Sequence, residues 1–279
     1  MIAVITTVAY LVLAFGLCWA GKAAFGVLHP GARLDRELLA RDNVAFAVPL
    51  GAYYLGILLA MGGPLSGGAY GGLVHDLGTA ALFGLLAVVL LNLALGADRF
   101  LEHRGLDLAA EIFERENLAA GILVGGTTLA SALIVMGAFT GEGGVLPAAV
   151  FWLYGEALMT LAALALPRIM SLDLADEMRR GNVAVALAFA GTLIAMGNII
   201  RLGIMGTFYG WGAGLYAATL YAAGGLLLLL LVRRLTDWLL MPGVTLRHEL
   251  LEQKAPNAGV GFLVGALSLG ASFLVGWVL

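Results

Sequence analysis

The stretch that decides the fold runs Asn182-Val-Ala-Val-Ala-Leu-Ala-Phe-Ala-Gly-Thr-Leu-Ile-Ala-Met-Gly197. It recurs in outline after Asn43, Asn117 and Asn257, and each copy follows a charged segment. Each copy opens about 20 mostly apolar residues, the length that a helix rising about 1.5 Å per residue needs to cross a hydrocarbon layer of about 30 Å. The pattern predicts four membrane-spanning helices, each headed by an asparagine.

Small residues recur at fixed offsets from the four asparagines. Glycine or alanine stands two, four, eight and thirteen residues on in every copy, and the residues at offset eight are Gly51, Gly125, Ala190 and Gly265. At about 100° per residue, offsets four and eight share one helix face with the asparagine, and offsets two and thirteen lie nearly opposite. In lipid, close approach through small residues is a main source of packing energy. We therefore expect these helices to be the inner helices of a bundle; the alternative is that the small residues line a pathway.

The composition is that of an integral membrane protein. Of 279 residues, 61% are hydrophobic and 12% are charged, against about 25% charged residues in soluble domains. The net charge of −3 and the scattering of basic residues among acids give no reason to expect nucleic acid as a partner. Cys18 is the single cysteine, so no internal disulfide can form. The first apolar run lacks a basic start and a cleavage site, which favours a retained span.

The apolar runs predict an all-α fold: a polytopic membrane helix bundle of eight transmembrane helices, built from four parallel helix-pair repeats. The expected spans are about 2–28, 43–62, 73–97, 117–139, 146–167, 182–205, 208–232 and 257–279. The Gly-rich stretch at 140–144 divides the chain into two four-span halves, 1–140 and 141–279. Asn43 and Asn182 are 139 residues apart and Asn117 and Asn257 are 140 apart, which favours duplication of a four-span unit. An even number of spans per unit makes the repeats parallel.

The basic residues predict the orientation. All lysines and arginines except Arg201 fall on the side of the charged segments, and short loops rich in these residues stay in the cytoplasm. Both termini are therefore expected outside. Asp35, Asp107, Asp173 and Thr245 each stand as a helix N-cap at the start of a charged segment, which predicts four short surface helices. These helices are either connectors that lie on lipid headgroups or a docking surface for a cytoplasmic partner.

Glu156 is the strongest candidate for chemistry. It lies near the midplane of the fifth span, where a carboxylate costs about 2.5 to 3.5 kcal/mol on insertion scales and should face the bundle or water. Thr128 and Thr192 lie at a similar depth, with Asn198 about 6 Å and Arg201 about 10 Å further out. Thr192 or Asn198 could hydrogen-bond Glu156, and Arg201 could reach it only with a favourable tilt, the alternative being that its side chain extends outward to the interface. A proton, cation or polar-substrate site is one interpretation; a protonated glutamic acid satisfied by its neighbours is the other.

The remaining polar patterns do not predict an enzyme. The four asparagines are either helix N-caps, which we favour, or a ring of amides around a mouth. The run His248-Glu-Leu-Leu-Glu252 lacks the second histidine of a zinc motif, and His75 with Asp76 is too small a set for a metal site. The charged segments, of about 13 to 24 residues, are too short to fold as catalytic domains. No metal and no cofactor is expected.

The pattern Asn-Val-Ala-x-Ala before Gly- and Ala-rich apolar sequence, preceded by a charged segment and repeated in paired hairpins, resembles the DUF350 family of bacterial inner-membrane proteins. The likeness covers nearly the whole chain in four tandem copies, and the copy at Asn257, after Pro256, departs most. The resemblance implies repeated helix pairs in the bacterial inner (plasma) membrane and no established activity. Members are often encoded near phage-shock-type membrane-remodelling proteins, which points toward envelope maintenance.

Two functions of different classes follow from these patterns and from what the resemblance implies. The first is a non-enzymatic envelope-maintenance or membrane-stress module that lies in the lipid bilayer and docks a cytoplasmic membrane-remodelling protein of the phage-shock type. The second is a channel or transporter for a proton or small cation with Glu156 at its midplane. The sequence leaves the oligomeric state open, and a homo-oligomer is one alternative.

Overall fold

The computed structural model describes residues 2–28, 33–66, 72–97, 106–141, 143–241 and 243–278. The described residues form ten α-helices, which are α1 (Ile2–Leu28), α2 (Val44–Leu65), α3 (Leu73–Ala97), α4 (Leu108–Phe113), α5 (Leu118–Thr140), α6 (Val145–Ile169), α7 (Leu174–Arg179), α8 (Val183–Ile204), α9 (Trp211–Leu235) and α10 (Ala258–Val278). All but α4 and α7 are long and apolar enough to cross a membrane. This part of the chain contains no strand, so the prediction of an all-α bundle with eight spans is confirmed.

The predicted ends of the spans differ from the observed ends by a few residues. Helix α2 continues to Leu65, three residues beyond the expected end. Helix α9 begins at Trp211 rather than at Phe208, because Gly206 and Gly210 adopt φ angles of 111° and 108° that a regular helix does not contain.

The four helices headed by asparagine lie side by side in the order α2, α5, α8, α10, which we call the row. Glycines set the spacing between its members. Gly121 of α5 meets the backbone of Ala45 in α2, Gly197 of α8 meets Ala130 in α5, and Gly261 of α10 meets Ala184 in α8. A Cβ at Gly197 would lie 2.6 Å from the carbonyl oxygen of Ala130, closer than real atoms approach. Each pair of neighbouring helices thus touches backbone to backbone.

The other four long helices pack over the seams of the row. Helix α3 contacts α2 and α5, α6 contacts α5 and α8, and α9 contacts α8 and α10, while α1 packs on α2 and α3. The expectation that all four asparagine-headed helices are inner helices therefore holds for α5 and α8. Helices α2 and α10 end the row, and they leave large side chains such as Leu55 and Phe262 exposed.

Three of the four small residues at offset eight lie at helix contacts. Gly125 faces Val48 of α2, Ala190 of α8 faces Gly126 of α5, and Gly265 of α10 faces α8 at Leu187 and Gly191. Gly51 differs from this pattern: it is exposed, and a Cβ added to it would have no neighbour within 4 Å. The packing expected of Gly51 is therefore wrong within this chain, because α2 has a neighbour in the row on one side alone.

Short helical segments connect the long helices at the end where the charges lie, which we call the charged face. These segments are α4, α7 and three π-helical turns, Asp35–Ala40, Thr236–Leu240 and His248–Glu252. Asp107 and Asp173 cap α4 and α7 by accepting hydrogen bonds from the backbone N–H groups of Ala110 and Asp176. Thr245 accepts the corresponding bond from the N–H of His248.

Asp35 is not the N-cap that its sequence predicts. It lies inside its π-helical turn, and Leu34, which precedes the turn, makes no side-chain cap bond. The capping residues of three other segments stand four positions before Glu111, Glu177 and Glu249, and Arg33 occupies the corresponding position before Glu37. An arginine has no acceptor with which to cap a helix.

Candidate functional site

Asn117 joins three elements at the charged face. Its side-chain oxygen accepts from the N–H of Ala119 at 3.0 Å and so caps α5. Its amide nitrogen donates to Oε2 of Glu111 in α4 at 2.8 Å and to the carbonyl oxygen of Met178 in α7 at 2.6 Å. One side chain therefore holds its own short segment, the start of its long helix and the next short segment. We call this set of bonds the clamp.

The clamp recurs at Asn43 and Asn182. Each caps its own helix, through the N–H of Phe46 or Val185 at 3.1 Å. Each amide nitrogen donates to a glutamate of its own segment and to a carbonyl of the next, which are Glu37 at 3.0 Å and Ile112 at 2.9 Å for Asn43, and Glu177 at 2.6 Å and Leu250 at 2.8 Å for Asn182. Three clamps thus join four of the five short segments in series, namely Asp35–Ala40, α4, α7 and His248–Glu252.

Asn257 forms part of the same arrangement. It caps α10 through the N–H of Val260 at 3.2 Å and donates to Oε2 of Glu249 at 3.0 Å. None of the described residues forms a further segment beside it, and the residue is exposed, whereas Asn43 and Asn182 are buried. Asn257 therefore retains the cap and the glutamate bond and lacks the bond between segments.

The clamp glutamates are carboxylates in an apolar setting. Glu37, Glu111 and Glu249 are 3%, 4% and 8% exposed, and a charge buried to that extent is costly unless it is paired. Three of the four clamp glutamates have an arginine of their own segment, in the pairs Glu37–Arg41 at 3.3 Å, Glu111–Arg115 at 2.8 Å and Glu177–Arg180 at 3.6 Å. The fourth, Glu249, instead accepts from the amide of Gln253 at 2.7 Å.

Arg41 adds a second link between the first two segments. Besides Glu37 it binds Glu116 at 2.8 Å and donates to the carbonyl oxygen of Phe113 at 2.7 Å. Its guanidinium is fixed by three partners and is 29% exposed. Such a pair is held in one geometry, unlike the mobile ion pairs of an open surface.

The backbone before each asparagine closes the clamp. In every copy the asparagine N–H donates to the carbonyl oxygen of the clamp glutamate, at 2.9 to 3.0 Å. Asp42, Glu116 and Gly181, which come directly before the first three asparagines, have positive φ angles of 51°, 51° and 69°. This left-handed turn returns the chain to the glutamate. In the fourth copy Pro256 cannot adopt a positive φ, and the glutamate stands eight residues before Asn257 instead of five or six.

Glu156 lies one residue from the centre of the 25-residue helix α6 and is partly buried. Its Oε2 accepts a hydrogen bond from the Ser131 hydroxyl of α5 at 3.0 Å. The preceding Gly155 lets α6 approach its neighbours, because a Cβ there would meet Ile134 of α5 and Ile200 of α8. The carboxyl therefore lies at mid-depth, on the side of α6 that packs against the row.

The polar residues expected around Glu156 have other partners. Thr128 and Thr192 donate to carbonyl oxygens of their own helices, those of Val124 and Ala188. Asn198 donates to the Ser272 hydroxyl of α10 at 3.1 Å, and the Arg201 Nε donates to the Asn198 side-chain oxygen at 2.9 Å. The bond to Glu156 suggested for Thr192 or Asn198 is therefore wrong, since Thr192, which lies 3.5 Å from the Ser268 hydroxyl, Asn198 and Arg201 form a separate polar contact between α8 and α10.

A further buried polar cluster lies in the first half of the chain. The Asn92 amide donates to the Tyr53 hydroxyl at 2.7 Å, and that hydroxyl donates to the Gly21 carbonyl oxygen at 3.3 Å. Sequence analysis missed Ser131, Ser272 and Asn92, as well as the clamp glutamates. Among the described residues no group of three or more His, Cys, Asp or Glu side chains is placed to hold a metal ion.

Comparison with known proteins finds similarity to membrane proteins of unknown function. The model of the family described as Domain of Unknown Function (DUF350) matches residues 1–139 and 142–279. A "UPF0719 transmembrane protein" of Aquifex aeolicus (strain VF5) is 30% identical over 100 residues, and the aligned stretch covers 36% of this chain and 37% of that protein. No solved structure matches the chain.

Proposed function

The chain belongs to the family described as Domain of Unknown Function (DUF350), and from that premise we propose that it is a non-enzymatic membrane module that docks a cytoplasmic partner on its charged face. It is a multi-pass membrane protein with eight apolar helices. The partner that we infer is a membrane-remodelling protein of the phage-shock type, and the setting is the bacterial inner membrane with both termini outside. The role is envelope maintenance under membrane stress.

One observation carries this proposal: the clamp series holds four of the five short segments as one layer. Asn43, Asn117 and Asn182 each bind the next segment through a buried or partly buried hydrogen bond of 2.6 to 2.9 Å. Loose connectors lying on lipid headgroups have no need of buried carboxylates and bonds between segments. A fixed layer costs little further ordering when a partner binds, which favours docking.

The outer surface of this layer carries side chains that a partner can contact. Leu39 is 84% exposed, and Glu114, Arg179 and Lys254 are also exposed. Acids and bases are interspersed, so the surface suits a protein with its own mixed charges rather than a polyanion.

Site-specific photo-crosslinking tests the proposal. Tyr209, between α8 and α9 at the opposite end of the long helices, is 84% exposed like Leu39 and is the matched control. With a photoreactive residue at either position, we expect a phage-shock-type protein to be crosslinked at position 39 in membrane-stressed cells and not at position 209. Crosslinking at neither position, or equally at both, contradicts docking on the charged face.

Glu156 supports a second candidate, a channel or transporter for protons or small cations. The observation that favours it is the carboxyl at mid-depth with the Ser131 hydroxyl 3.0 Å away, because ionisable groups at that depth commonly serve ion or proton pathways. Proteoliposome flux of wild type and Glu156→Gln at matched insertion separates the two functions. Flux that disappears in the variant establishes transport. If docking is the function and transport is not, neither protein should show flux, and crosslinking at position 39 should be the same in both.

A further inference from the structure

A cavity of about 280 Å³ opens at the charged face between the ends of α6 and α9, helix α8 and the segment around Leu246. Its lining reaches from Arg247 at the charged face to Thr192, ten residues beyond Asn182 and so about 15 Å along α8. The cavity therefore extends from the membrane surface into the hydrocarbon layer. Its size is near the lower limit of known ligand pockets.

The outer part of the cavity is positively charged. Arg233, Arg234 and Arg247 line it, and Asp237 is the one carboxylate in its lining. Asp237 already accepts a hydrogen bond from the N–H of Leu246 at 2.7 Å and lies 3.9 Å from Arg234. Arg247 is paired with Glu252, which stands outside the lining, at 3.1 Å. The cavity thus holds more positive than negative charge.

Arg233 differs from the other two arginines of the cavity. It is partly buried, and although the Asp237 carboxylate acts on its charge, its guanidinium makes no hydrogen bond or ion pair of 4.0 Å or less with any residue that the structure describes. A guanidinium withdrawn from water and left without a close acceptor is suited to bind an anion, with planar donors that match phosphate oxygens.

The inner part of the cavity is apolar. Val185 and Phe189 of α8, Leu230 of α9 and Ile169 of α6 form its walls. The Thr192 hydroxyl at its depth is already bonded to the Ala188 carbonyl oxygen. A free phosphate would leave these walls without a partner, whereas an acyl chain beneath a phosphate headgroup would cover them.

We propose that this cavity is a binding site for one anionic phospholipid, with the phosphate between Arg233 and Arg247 and an acyl chain along Phe189 and Leu230. Basic pockets between transmembrane helices are a known way to recognise anionic headgroups. The site lies beside the short segments Thr236–Leu240 and His248–Glu252, and it is independent of the protein docking proposed for the outer surface of the layer.

Native mass spectrometry of the purified full chain tests the site, with phosphatidylglycerol and phosphatidylcholine of the same acyl chains supplied in equal amounts. Wild type should retain one phosphatidylglycerol under conditions that remove phosphatidylcholine. Because one arginine contributes about 1 kcal/mol of headgroup attraction, Arg233→Gln should weaken retention about fivefold. Arg36→Gln, which removes a 69% exposed arginine elsewhere on the charged face, should not change it.

Thermal unfolding with a lipid or with inorganic phosphate provides a second test of the site. Thermal unfolding of wild type should be delayed by phosphatidylglycerol and by neither phosphatidylcholine nor inorganic phosphate, and this arm holds even if Arg233→Gln does not fold. Protection by inorganic phosphate equal to that by phosphatidylglycerol would assign the site to a free anion. Equal retention of both lipids, or wild-type retention in a folded Arg233→Gln, overturns the proposal.

Discussion

Asn117 and Asn257 head two helices of the same row and have different surroundings. Both cap their helices, and both donate to a glutamate of the preceding segment. Asn117 also binds the Met178 carbonyl oxygen in the next segment, whereas Asn257 is exposed and no bond from it to a further segment is found among the described residues. In the fourth copy the arginine that pairs with the clamp glutamate is replaced by Gln253, and the loop before the asparagine is longer.

This difference distinguishes two roles of the asparagines, capping a helix and binding the next segment. A helix cap alone would need an asparagine at both positions and would not require a buried glutamate. The ion pair and the tight left-handed turn are found where a following segment must be held, and they are absent at the end of the row. The clamp is therefore a contact between successive segments to which the cap is added, and substitutions of Asn117 inside the row and of Asn257 at its end should have different effects.

The largest difference is expected for asparagine to alanine. Asn117→Ala loses the cap, a charged hydrogen bond and the bond to Met178, together about 3 kcal/mol of unfolding free energy. Asn257→Ala should cost about 1 kcal/mol, because Asn257 is exposed and water can replace the hydrogen bonds that its amide makes. Unfolding of the purified protein in mixed micelles with increasing sodium dodecyl sulfate measures both values.

Serine at the same positions sharpens this comparison. Serine caps a helix about as well as asparagine and cannot reach the next segment. The decrease in unfolding free energy caused by Asn117→Ser should therefore be about two thirds of the decrease caused by Asn117→Ala. Asn257→Ser should be close to wild type. If Asn117→Ser is also close to wild type, Asn117 is a cap alone.

Substitution of glycine by alanine tests a helix contact inside the row against an exposed position at its end. Gly121→Ala forces a Cβ against the Ala45 backbone, and we expect a loss of about 2 kcal/mol from overpacking. Gly51→Ala meets open space and should be neutral or stabilising by up to about 1 kcal/mol, because alanine favours the helix. The same micelle titration measures both variants. Equal effects of the two substitutions would contradict the packing of the row.

Arg41→Gln gives the first segment the residue type of the fourth. The variant loses the ion pairs to Glu37 and Glu116 and should cost about 1 kcal/mol. Arg180→Gln is the control, because Arg180 is 66% exposed in its pairs with Asp176 and Glu177 and should contribute little. A loss in Arg180→Gln as large as in Arg41→Gln would show that burial of the pair does not matter.

The smallest effect on stability is expected at Glu156. A glutamine retains an oxygen that can accept from Ser131, so Glu156→Gln should change the unfolding free energy by less than about 0.5 kcal/mol. This makes the variant suitable for the flux comparison, since loss of fold would not explain a loss of flux. A large destabilisation would instead assign the carboxylate a structural role.

The sequence predicted the eight spans and the asparagine-headed helices because these depend on local length, hydropathy and helix-cap chemistry. It did not reveal the clamp glutamates, because they precede their asparagines by six, six, five and eight residues and do not align at one offset. The partner carbonyls are 61 to 69 residues away, so only the packing of the segments brings them together.

The sequence also predicted how deep each polar residue lies in the membrane, but it did not predict the direction in which the side chain points around the helix axis. Glu156 and Thr192 are at similar depth, but Thr192 points to its own helix and Ser131 lies nearer the carboxyl. Gly51 fits the small-residue pattern as well as Gly125 does. Its exposure follows from the position of α2 at the end of the row, which no local pattern encodes.

Hydrogen exchange of Asn117→Ser tests most directly whether the clamps join the short segments into one layer. We expect faster exchange in α4 and also in α7 (Leu174–Arg179), because Asn117 binds the Met178 carbonyl oxygen 61 residues away. Asn257→Ser should change exchange near its own segment alone. If Asn117→Ser alters α4 and the first turn of α5 and leaves α7 as in wild type, the segments are not joined by the clamp.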